Sequence, residues 1–156
     1  MQFTTLSLLS TLTALASASH PGTGNIWSGD NVSAGCTNGQ CSYSFTFSGH
    51  STKDLPEFEA HCSGHTGIFD AVLRPCTLVP GKGHTSSAVV EASAYLALTP
   101  PSKEDPDGKA QAVLRLDFND ANPFVDQWQG TKDGSYTEFA QAGYSFKVIT
   151  GPNTGA

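Results

Sequence analysis

Hydrophobic and polar residues alternate along much of this chain, and the alternation predicts strands. In 42–47 every second residue is aromatic, so Tyr43, Phe45 and Phe47 share one face, as the twofold side-chain period of an extended backbone requires. Segment 57–62 repeats the pattern, with Phe58, Ala60 and Cys62 pointing inward. A shorter candidate spans 67–73. The longest run, 87–98, sets Ala88, Val90, Ala92, Ala94, Leu96 and Leu98 in one row opposite Glu91, Ser93 and Tyr95. In 113–118, Leu114, Leu116 and Phe118 face the core. Segment 124–130 is ambiguous, and 144–148 closes the series. Turn-forming clusters separate these runs: Ser63-Gly64, Pro80-Gly81-Lys82-Gly83, 119–123 and Lys132-Asp133-Gly134-Ser135. Convincing helical periodicity is missing, although 138–142 has room for one turn. The pattern predicts an all-β fold: an antiparallel β-sandwich or β-barrel of about seven or eight short strands.

Cysteine spacing adds covalent staples. Cys36 and Cys41 bracket Asn38-Gly39, the strongest short hairpin signal, because a tight primed turn needs positive φ at both central positions. A two-residue turn places Cys36 directly across from Cys41, where cross-strand Cβ atoms lie ~4.5–5.5 Å apart or closer. That is near disulfide range. The remaining pair is Cys62–Cys76. Cys-x4-Cys with Cys-x13-Cys is a poor zinc spacing, so two disulfides are expected.

The first residues change the picture of compartment. Leu6, Leu8, Leu9, Leu12 and Leu15 lie in an apolar stretch that ends in Ala14-Leu15-Ala16-Ser17-Ala18-Ser19, the form of a secretory signal with a small-residue cleavage motif. Residues 1–18 are expected to be a signal peptide and 19–156 a single β domain, secreted and extracellular. The stretch is too short and too rich in Ser and Thr to span a bilayer. With 8 Lys+Arg against 14 Asp+Glu and a net charge of −6, the chain has no basic cluster to hold nucleic acid or anionic lipid. Neither is expected as a partner, and oligomeric state is left open.

Candidate chemistry is sparse. A signal cut after Ser19 would expose His20 as an N-terminal amine-imidazole chelate for copper, with His50, His61, His65 and His84 as possible second donors. Glu57 and Glu59, two apart on a strand and about 6.7 Å along it, overlap the carboxyl spacing of inverting glycosidases. They equally fit the wet face of an antiparallel strand. His61 and His65 would need the Cys62 thiolate to hold zinc, and the disulfide consumes it. Asn31-Val32-Ser33 is an acceptor for N-glycosylation. Trp27, Trp128 and Tyr136 are candidates for stacking on a sugar or aromatic ligand. The loop 99–111 carries Lys103, Glu104, Asp105, Asp107 and Lys109 between prolines, and is the candidate binding loop. No catalytic residue, cofactor or metal is assigned.

Taken in order, Trp27, Cys36, Cys41-Ser42-Tyr43-Ser44-Phe45-Thr46-Phe47, Phe58-x-Ala60-x-Cys62-Ser63-Gly64, Cys76 and Leu116-x-Phe118-x-Asp120 resemble fungal small secreted proteins related to the Alternaria major allergen. That family includes elicitors of the plant hypersensitive response. The resemblance covers roughly residues 25–130 and is best over the Cys62–Cys76 loop. It implies a secreted, compact β-barrel or sandwich that binds host extracellular proteins or small phenolic ligands. The tight Cys36–Cys41 pair and the even cysteine count depart from the type member. The expectation is a non-enzymatic effector or elicitor. The alternatives are a secreted copper-dependent or carbohydrate-active enzyme, and a cell-wall carbohydrate-binding module.

Overall fold

The computed structural model describes residues 25–52, 56–67, 72–80, 89–118 and 127–152. The expected signal peptide, His20, His84 and the residues 119–123 expected to form a turn lie outside them. Among the described residues nine strands follow in order: β1 (Asn25–Thr37), β2 (Gln40–Gly49), β3 (Phe58–Gly67), β4 (Arg74–Pro75), β5 (Thr77–Leu78), β6 (Val89–Thr99), β7 (Lys109–Phe118), β8 (Gln127–Gly134) and β9 (Tyr144–Pro152). One short helix, α1 (Tyr136–Phe139), sits between β8 and β9. All pairings are antiparallel and join the strands in the order β4-β6-β7-β8-β9-β1-β2-β3-β5. The two outer members of that order are neighbours in sequence. Arg74 and Pro75 pair with β6, while Thr77 and Leu78 pair with β3. One five-residue segment therefore bridges the two edges and nearly closes the sheet into a barrel, which removes most of the exposed edge an open sheet would carry.

Both predicted disulfides are present. Asn38 and Gly39 adopt φ of 52° and 78°, the left-handed pair that a type I′ turn requires. Cys36 then faces Cys41 at a Cα separation of 3.9 Å. Cys62 on β3 reaches Cys76 with Cα atoms 4.4 Å apart. Cys76 is the residue between β4 and β5, and its N–H also bonds Ala92 O at 2.7 Å. The second disulfide is thus the rivet of the barrel seam.

Inward-facing side chains fill the barrel. Trp27, Phe45, Phe47, Phe58, Leu96, Leu114, Leu116 and Phe146 are all buried in one cluster. Alternation predicted most of this set, and the departures have physical causes. Val90 is exposed rather than inward, because a register shift between Val89 and Glu91 reverses the phase at the start of β6. Ser63-Gly64 is not a turn but part of β3. Gly64 is there for close approach, since a Cβ on it would lie 2.6 Å from the Tyr43 hydroxyl, which crosses the barrel to donate to Ala94 O. Lys132-Asp133-Gly134 continues β8, and Ser135 caps α1. The helix turn runs over 136–139, earlier than the 138–142 that the sequence suggests. Most of β1 has no alternating apolar pattern, and its hairpin end alone was legible.

Candidate functional site

Antiparallel pairing brings the β1–β2 turn, the end of β3, the β6–β7 connection and α1 to one end of the barrel. There the candidate binding loop is shorter than 99–111. Thr99 belongs to β6, and Lys109 and Gln111 belong to β7, so the loop proper is 100–108. Lys109 is paired with Thr99 and lies on the strand flank instead of the loop. Lys103, Glu104 and Asp107 are exposed and Asp105 is half-buried.

The loop is internally ordered. The Ser102 hydroxyl accepts from the N–H groups of Glu104 (3.2 Å) and Asp105 (3.1 Å), and Ser102 N–H donates to Asp105 O at 2.8 Å. Gly108 closes it in the left-handed region at φ 62°, where a side chain costs roughly 1–2 kcal/mol. A Cβ there would also overlap Thr99 O. Gly108→Ala is expected to cost about 2–3 kcal/mol of stability in urea titration. A change below about 0.5 kcal/mol would refute this description of the loop.

Helix α1 ties the loop to the neighbouring hairpin. Thr137 N–H donates to Asp107 O (3.3 Å), and the Tyr136 hydroxyl accepts from Cys36 N–H at 3.1 Å. The second bond satisfies an edge of β1 that β9 leaves open, since β9 pairs with β1 no further than Val32. A capping box starts the helix: Glu138 N–H bonds the Ser135 hydroxyl, and Ser135 N–H bonds Glu138 Oε2 at 2.9 Å. Hydrogen bonding from the Ser135 backbone and hydroxyl lowers the Glu138 pKa. This cap therefore stabilises α1 at and above the ordinary carboxylate range and is lost as pH falls through the lowered value. Phe139 anchors the turn in the core.

Beside α1 lies an open depression of about 670 Å³, lined by Tyr136, His65 and the hydroxyl residues Ser33, Thr37, Ser42, Ser44 and Ser63. Its wall carries no Asp, Glu, Lys or Arg and is rich in donors and acceptors. On the other flank, Tyr95 O–H donates to Gln111 Oε1 and Gln111 Nε2 donates to Asp133 Oδ1 at 2.8 Å. Burial raises the Tyr95 pKa, and the nearby Asp133 charge adds to the rise. This end offers hydrogen bonds and a small set of charges on a pre-ordered frame.

No family model, curated protein or solved structure matches the chain.

The other candidates fall elsewhere. Trp27 is a core plug stacked edge-on against Phe47 and Phe58, and Trp128 packs on the core from β8. Only Tyr136 of the three aromatic candidates reaches the depression. Glu57 precedes β3 and is exposed, while Glu59 is half-buried within it. His61 lies 3.4 Å from the Thr46 hydroxyl through Nδ1. His65 is four residues further along β3, about 13 Å away, and His50 follows the far end of β2. Among the described residues no group of three or more His, Cys, Asp or Glu is placed to hold a metal ion. Sequence reasoning missed Ser102 and the depression. The capping box Ser135-x-x-Glu138 was readable as Ser-x-x-Glu and points to α1.

Proposed function

We propose that this protein is a secreted, non-enzymatic effector or elicitor that recognises an extracellular host protein through the α1 end of the barrel. The observation that carries the reading is the pre-ordered surface at that end. One helix turn couples loop 100–108 to the β1–β2 hairpin through Asp107 O and the Cys36 N–H. Pre-ordering reduces the entropy lost on docking, and barrel ends with ordered loops suit recognition while the strands keep the frame rigid. Two disulfides favour an oxidising compartment. The likeness to fungal elicitors supports the effector half of the reading. A small phenolic ligand, the other partner the likeness implies, would use a surface depression, because side chains fill the barrel axis.

The test compares the wild-type protein with a variant in which Lys103, Glu104, Asp105 and Asp107 are all serine. The Ser102 hydroxyl bonds and the Asp107 carbonyl bond involve backbone groups and are retained. Purified wild type is expected to cause cell death on leaf infiltration and to retain a protein from apoplastic fluid. The variant, folded by circular dichroism, is expected to lose at least tenfold in dose response, the equivalent of about 1.4 kcal/mol. A silent wild type, or full activity in the variant, would refute the reading.

A further inference from the structure

Asn31 lies where β1 changes register. Asp30 is opposite Thr46 and Ser33 opposite Ser44, so Asn31 and Val32 together face the single residue Phe45. This is a β-bulge, and Asn31 takes its left-handed position with φ 54°, which Asn tolerates better than most residues. The bulge decides which way the acceptor tripeptide faces. Trp27 and Gly29 point inward, and uninterrupted alternation would send residues 31 and 33 inward as well. The extra residue reverses the phase. Val32 is fully buried, and Asn31 and Ser33 are both exposed. Beside Asn31 is a depression of about 270 Å³ whose wall includes Ser44, Thr46, His61, Ser63 and Thr77.

We infer that Asn31 carries an N-linked glycan whose first sugars lie along this hydroxyl-rich shelf over β2 and β3. The inference rests on the secretory route in the proposed function. The donor is a lipid-pyrophosphate-linked oligosaccharide. The Asn31 side-chain nitrogen forms a bond to C1 of the first sugar, and the C1–O bond to pyrophosphate breaks. The lipid pyrophosphate leaves with the bonding pair, and the amide gives up one proton. Transfer precedes folding, so the fold has only to tolerate the sugar afterwards. The bulge provides for that by turning Asn31 and Ser33 to solvent while Val32 still enters the core. A glycan here covers the outer face of β2 and β3 towards the seam at Thr77.

The experiment expresses the full chain in a eukaryotic secretory host and recovers protein from medium and cells. Peptide-N-glycosidase is expected to collapse the secreted band to the polypeptide mass. In heavy-oxygen water it should convert Asn31 to a labelled Asp. Asn31→Gln is expected to abolish the shift. Ser33→Ala keeps Asn31 on the bulge, removes the acceptor hydroxyl, and is expected to abolish the shift too. Secreted protein with mostly unmodified Asn31 overturns the glycan and leaves secretion standing. Protein retained in the cytosol and unmodified overturns both.

Discussion

Replacing Phe47 with alanine is expected to cost about 3–5 kcal/mol, a large share of the roughly 5–15 kcal/mol that holds a typical domain folded. Phe47 is fully buried and makes edge-on contacts with Trp27 and Phe58, at centroid distances of 5.2 and 4.8 Å. Trp27 and Phe58 also meet each other at 5.5 Å, so the three rings form a closed set. The backbone of Gly49 presses against two of them: a Cβ there would lie 2.5 Å from Phe58 and 2.8 Å from Trp27. Such a site has little freedom to collapse around a lost ring, which places the cost at the upper end of the usual range. Thermal unfolding followed by tryptophan fluorescence should shift down by roughly 6–20 °C. A loss below about 1 kcal/mol would mean that the three rings do not hold this end of the barrel.

Removing the Cys62–Cys76 disulfide, as Cys62→Ala with Cys76→Ser, is expected to destabilise the protein by about 3 kcal/mol from loop entropy alone. Removing Cys36–Cys41 should cost about 2 kcal/mol by the same relation, because its sequence separation is 5 rather than 14. The two losses should also differ in where they act. The seam has two residue pairs on each side, supplemented by the Cys76 N–H bond to Ala92 O and the Val79 N–H bond to Glu59 O. Without its disulfide the bridging segment should detach, and hydrogen exchange should rise in β3 and β6 while β8 and β9 stay protected. A uniform rise across all strands, or a larger loss from the hairpin pair, would contradict this account of the seam.

Local pattern along the chain carries whatever depends on sequence neighbours. Alternation marked most of β2, the first half of β3, most of β6 and the core of β7, because an extended backbone turns successive side chains to opposite faces whatever surrounds it. Asn38-Gly39 sets a two-residue turn and therefore the Cys36–Cys41 pair, and elimination then assigns Cys62–Cys76. Prolines and charges marked the loop as 99–111, one residue early at its start and three late at its end, because strand pairing runs through Thr99 and resumes at Lys109.

Contacts between distant segments set the rest. Most of β1 is a strand because β2 and β9 pair with it on either side. Seven of its 13 residues are Ser, Gly, Asp or Asn, and the bulge at Asn31 interrupts what alternation the strand has. Gly64 looks like a turn residue until the Tyr43 hydroxyl is seen to need its space. The bridge at 74–78 is invisible locally, because its two strands are two residues each and acquire meaning only between β3 and β6. The α1 end of the barrel likewise depends on distant pairs. Tyr136 meets Cys36 across a separation of 100 residues. Short-range pattern encodes which residues extend and turn, but the barrel's closure and the partners brought together at its end follow from contacts that no local window contains.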